Sequence, residues 1–121
     1  MPPLPASFCA RLLPTETDSV DPAAAAAIRE FCEASPEVEV AYACSQEHRG
    51  ADVRLRLAFK LVAPVSEPAD SRATQRDLVH RLGRTQPELL HRFGGLVVIA
   101  DRAVPAWNAY GIRVFERRPP G

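Results

Sequence analysis

What this chain lacks narrows it first. It has no net charge, because fifteen Lys and Arg balance fifteen Asp and Glu. A balanced chain exerts no general pull on nucleic acid or anionic membrane, so any such binding needs a local patch. Lysine is nearly absent, with Lys60 the only one. That usage, with abundant alanine and twelve prolines, fits GC-rich coding and carries no function. The three cysteines, Cys9, Cys32 and Cys44, are scattered, odd in number and form no CxxC. A disulfide framework is therefore not expected, and a reduced, cytoplasmic setting is. No apolar run nears the ~20 residues of a membrane helix. The opening MPPLPASFCARLLP is too proline-rich for the apolar segment of a signal peptide.

Several chemistries lack their residues. His48, His80 and His91 are spread out, with neither HxxxH nor HxH spacing, so a zinc site would have to gather distant ligands. The glycines of FGGLVV precede a strand instead of joining a strand to a helix, which is the wrong place for a phosphate-cradling loop. No carboxylate pair stands out from surface charge. Neither cofactor nor metal is expected.

What is present reads as one folded domain. At 121 residues and 46% hydrophobic, the chain can bury a core. The domain is placed at residues 6–118, with proline-rich ends at 1–5 and 119–121. ASFCARLL alternates as a first strand. Asp21 and Pro22 then open a helix, the aspartate as N-cap and the proline as first residue. Ala24, Ile28, Phe31 and Cys32 share its apolar stripe, and Ser35-Pro36 ends it.

Two alternating runs follow, EVEVAYAC and DVRLRLAFKL. Pairing Cys44 with Val53 sets Tyr42 opposite Leu55, Val40 opposite Leu57, Val38 opposite Phe59 and Glu37 beside Lys60. SQEHRGA is then the loop, with Gly50 free to take positive φ. A second helix runs from a cap at Asp70 or Ser71 to about Leu82, with Gly83 as its stop. Thr85-Gln86-Pro87-Glu88 has the capping-box pattern and opens a short helical segment ending at Phe93. LVVIA reads as a central strand buried on both faces. DRAVPAWNAYG is a turn or short helix, and IRVFER a last strand.

The order β, α, β, β, α, β plus an extra strand predicts a ferredoxin-like α+β sandwich of two layers. Its helices cover one face of a mainly antiparallel sheet. The expected core is Phe8, Ile28, Phe31, Val40, Tyr42, Leu55, Leu57, Leu78, Leu82, Val97 and Ile99.

Four places invite a functional reading. Cys44 and His48 could pair as a thiolate and its base, but strand parity points Cys44 inward, where cysteine is an inert small hydrophobe. The second helix carries Arg72, Arg76, His80 and Arg84 at successive i+4 positions, with Arg81 and Arg92 adding to them and Asp77 and Glu88 diluting them. Such a ridge either neutralises phosphates or is a solvated helix face. The sheet face opposite the helices offers Arg54, Arg56 and Lys60, with Arg11 or Arg113 beside them, and small alanines between. It lacks the aromatic pair that stacks RNA bases, so it suits self-association or partner docking better. Trp107 and Tyr110 either mark a binding spot or close the end of the core.

The segment DPAAAAAIREFCEASPEVEVAYAC, the V-x-x-A-Y strand at Val38 to Tyr42 within it, GGLVVIAD and the closing YGIRVFER together resemble the C-terminal domain of the SseB family. That family is named for an enhanced serine sensitivity phenotype. The resemblance spans Phe8 to Arg117 and implies a small α+β domain with a regulatory or protein-binding role. It implies no catalytic residues. The expectation is a non-enzymatic interaction domain with a homodimer or protein partner, and the alternative is a nucleic-acid binder using Arg72, Arg76 and Arg84.

Overall fold

The computed structural model describes residues 10–48, 52–93 and 96–117 of the chain. Phe8, Cys9, Gly50 and the proline-rich ends lie outside the described residues. Strand β1 (Ala10–Leu13) leads through a 3-10 turn to helix α1 (Pro22–Glu33). That helix starts as its sequence dictates, with the Ala24 amide donating to Asp21 Oδ1 at 2.7 Å. Ala24, Ile28, Phe31 and Cys32 are its buried stripe. Strands β2 (Val38–His48) and β3 (Asp52–Leu61) form a long hairpin. Helices α2 (Arg72–Thr85) and α3 (Pro87–Phe93), strand β4 (Leu96–Val98), helix α4 (Val104–Tyr110) and strand β5 (Ile112–Glu116) complete the order.

The fold is α+β around a five-stranded, mostly antiparallel sheet. Strand β2 is its axis. One edge of β2 pairs with β3, while the other is shared by β1, beside Ser45–His48, and β5, beside Val40–Ala43. Strand β4 joins β3 in parallel. The expected element order is present along the chain, but the lateral order β1-β2-β3-β4 is not that of a split βαβ unit, which separates crossover-linked strands by a third. Here α1 links β1 to its direct neighbour β2, and α2 with α3 links β3 to its direct neighbour β4. LVVIA is thus an end strand instead of a central one. It is still covered on both sides, Leu96 and Val98 facing one cluster and Ile99 the other. The outward Val98 amide donates to Gln75 Oε1 at 2.9 Å, so α2 shields this edge.

The hairpin register also differs from the parity expectation. Cys44 pairs with Arg56, three positions from Val53, and an odd shift exchanges faces. Side-chain volume accounts for it. The observed register sets Ala41 opposite Phe59, Ala43 opposite Leu57 and Tyr42 opposite Ala58, one large residue against one small each time. The expected register would have set large against large. Pairing with β1 also keeps Ser45–His48 in β2, so these residues are strand and not loop. A bulge between Val38 and Val40 turns those two valines to opposite faces. Lys60 consequently meets Glu39, at 2.6 Å, while Glu37 turns to Arg81.

Both sheet faces are covered. On one, Ile28, Phe31, Leu78, Leu82, Leu89 and Phe93 of α1–α3 pack on Ala41, Ala43, Leu57 and Phe59. The rings of Phe31 and Phe59 stack with centroids 5.9 Å apart. On the other, Val40, Tyr42, Cys44, Ala58 and Ile99 lie in a cluster with Trp107 of α4. The two-layer expectation with all helices on one face is corrected by α4. Of the expected core, Leu55 and Val97 are only half-buried, and the other described members are buried.

Two helix boundaries moved for physical reasons. Gly83 does not stop α2 but lies inside it, where a Cβ would come within 3.2 Å of Leu90 Cδ1 as α3 folds back. Thr85 does not cap α3. It ends α2, its hydroxyl donating to the Arg81 carbonyl at 2.8 Å, and Pro87 disfavours further helix at Gln86.

Candidate functional site

Helix α2 buries Leu78 and Leu82 and turns Arg72, Arg76, His80 and Arg84 outward, all four exposed. Successive members of this row rise ~6 Å and drift roughly 40° around the helix, so it spans ~18 Å. Among the described residues, the side chains of Arg72, Arg76 and Arg84 have no carboxylate or hydrogen-bond partner. The other expected contributors do not join them. Arg92 pairs with Asp21 across the start of α1. Arg81 pairs with Asp77, Nε to Oδ2 at 3.0 Å, and with Glu37. Asp77 is thereby engaged by Arg81.

Arg81 is the hub of the α1–α2 contact. Its Nη1 donates to Ser35 Oγ at 3.2 Å, and its guanidinium lies over the Phe31 ring, 5.9 Å from the centroid. Three partners and a ring fix the plane of a cation whose side chain remains 33% exposed. Beside it a cleft of about 420 Å³ opens between the C-terminal ends of α1 and α2, lined by Glu30, Phe31, Ala34, Arg81, Arg84 and Gln86 among others. Arg84 therefore belongs to both the ridge and the cleft wall.

The remaining candidates are held by the fold. Cys44 is fully buried, and its thiol donates to the Leu13 carbonyl at 3.4 Å. Desolvation by burial raises its pKa, opposed by the hydrogen bond that Thr15 Oγ1 donates to the sulfur at 3.5 Å. His48 lies four positions further along the same strand, a backbone span of about 13 Å, too far for a base to take its proton. Burial pushes the Cys32 thiol up to about 12. Arg54 is exposed, Arg56 and Lys60 are half-buried, and Arg54 and Arg56 are engaged by other groups. Their sheet face is not the open one expected, since Ala58 at its centre is buried with Trp107. Arg113, offered beside them, pairs with Glu116 at 2.7 Å, and the Arg11 side chain lies outside the description.

Trp107 is the lid of that cluster, 6.5 Å from Tyr42 by ring centroid, and is closed to a partner. Tyr110 stays 44% exposed beside a shallow groove with Leu12, Pro14 and Ala106.

Sequence reasoning missed Arg117. Its Nη2 donates to the carbonyls of Cys32 and Ser35 at 2.7 and 3.1 Å, and its Nε to Val38 at 2.9 Å. It caps the C-terminal end of α1 from the far end of the chain, stacking over Phe115. No local pattern announces a contact across so many residues.

Among the described residues, no helix is long and apolar enough to cross a membrane, and no group of three or more His, Cys, Asp or Glu converges as metal ligands would. Compared with protein-family models, curated proteins and solved structures, the chain matches none.

Proposed function

We propose that this protein is a non-catalytic interaction domain that engages an acidic partner through the outer face of α2. One observation carries the reading: Arg72, Arg76 and Arg84 form an exposed row without carboxylate partners among the described residues. In a chain with zero net charge, that row is local and directional. Five other cations, Lys60, Arg81, Arg92, Arg102 and Arg113, are each matched to a carboxylate. The buried, pKa-raised thiols of Cys32 and Cys44 speak against thiolate chemistry. The resemblance to the SseB C-terminal domain accords with a binding role.

Because α4 covers the centre of the sheet face, the reading rests on the helix layer instead. Chromatography on heparin, a polyanion, tests this directly. The protein should be retained at low salt, and the R72Q/R76Q/R84Q variant should elute early with its thermal midpoint unchanged. Flow-through of the unaltered protein at low salt would overturn the reading.

A further inference from the structure

We infer that the acidic partner is a single-stranded nucleic acid, its backbone following the α2 arginines and one base stacking in the α1–α2 cleft. This rests on the ridge reading above and names its ligand. The ridge and the cleft are continuous, because Arg84 borders both. The row presents arginine charges ~6 Å apart from Arg72 to Arg76 and ~12 Å apart from Arg76 to Arg84, spacings that an extended phosphodiester backbone can follow. At its end stands a flat cation. Arg81, held by Asp77, Glu37 and Ser35 and backed by the Phe31 ring, offers a fixed plane of the kind on which unpaired bases stack.

The cleft supplies the rest of a base site. Its volume of about 420 Å³ accommodates a flat ring system. Gln86 contributes amide donor and acceptor capacity, and Glu30 an acceptor for an exocyclic amine. A polyglutamate-like acidic peptide, having no ring to stack, would satisfy the arginines but leave this apolar, guanidinium-walled slot unused. A duplex keeps its bases paired and could not place one there.

The test compares three probes by competition: a short single-stranded oligonucleotide of mixed sequence, the same strand made abasic throughout, and inorganic polyphosphate. The intact strand should bind about tenfold more tightly than the abasic one, the worth of one stacked base. Arg81→Lys keeps the charge but loses the plane, and Ala34→Leu fills the cleft from an exposed position at the C-cap of α1. Either should shrink that preference and weaken the intact strand more than polyphosphate. Equal binding of intact and abasic strands by the unaltered protein would overturn the inference while leaving the ridge reading in place. Tighter binding of polyglutamate than of the oligonucleotide would overturn it in favour of an acidic protein. Failure to bind any of these polyanions would overturn the ridge reading itself.

Discussion

Cys44 looked in sequence like half of a reactive pair, and its surroundings make it a packing residue. Its thiol faces Leu13 and Thr15 inside the cluster under α4, and Cys32 is as deeply buried on the inner stripe of α1. Both should resist iodoacetamide at neutral pH in the folded protein and react once urea unfolds it. Peptide mass mapping would contradict this by finding Cys44 alkylated at the rate of a free thiol. Asp21 makes a pH-dependent prediction. The Ala24 amide and then the Arg92 guanidinium hold its carboxyl below the ordinary value of 3.8. A depressed folded pKa gives stability that is present above 3.8 and lost as the pH falls through and below it. Asp21→Ala should therefore lower the urea midpoint at neutral pH, and the gap should close on acidification. A gap that is constant with pH would contradict the assignment. The cap was legible because it is local: Asp, Pro and the helical stripe sit side by side. Arg81 was not, since a row of arginines does not reveal which one turns inward to meet Glu37 and Ser35.

At the scale of elements, the main helices and strands could be read from their periods, α4 only as a turn or short helix and Ser45–His48 not as strand, and the strand pairing could not be read. The hairpin register is decided by volume matching across strands, Ala41 to Phe59 and Tyr42 to Ala58, and alternation alone fits two registers of opposite face. The place of LVVIA depended on which strand β4 would join, a long-range choice. Two junctions can be tested. Gly111 lies where α4 hands the chain to β5; a Cβ there would fall 2.8 Å from the Trp107 carbonyl oxygen and 3.1 Å from that of Ala43. Both obstacles are backbone, so Gly111→Ala should cost about 1–3 kcal/mol of stability by overpacking. A change within ~0.5 kcal/mol, the usual range for a surface site, would refute the close approach. Arg117→Ala should cost about 2 kcal/mol, because it removes a charged donor from the Cys32 and Ser35 carbonyls at the α1 terminus and the Val38 carbonyl at the start of β2. Arg117→Lys should recover only part of it, lacking the fork. Equal urea midpoints for all three proteins would show that the contact contributes nothing.

For the whole molecule, the covered faces of the sheet and the open face of α2 define what is left for a partner. Three helices close one side and α4 closes the centre of the other, while the arginine row stays outside both clusters. The ridge itself was legible from i+4 spacing, but its isolation was not. Only the fold shows Arg81 and Arg92 drawn away to Glu37, Asp77 and Asp21, with Arg72, Arg76 and Arg84 remaining. The central claim is that this row is a binding surface. Its most direct test is the affinity for a fluorescent single-stranded oligonucleotide, measured by anisotropy across a series of salt concentrations. If the row binds the backbone, log K falls against log salt with a slope of about −2, from roughly three neutralised phosphates. R72Q/R76Q/R84Q then flattens the slope and weakens binding. A slope near zero, or a triple variant that binds as the unaltered protein does, would contradict the claim.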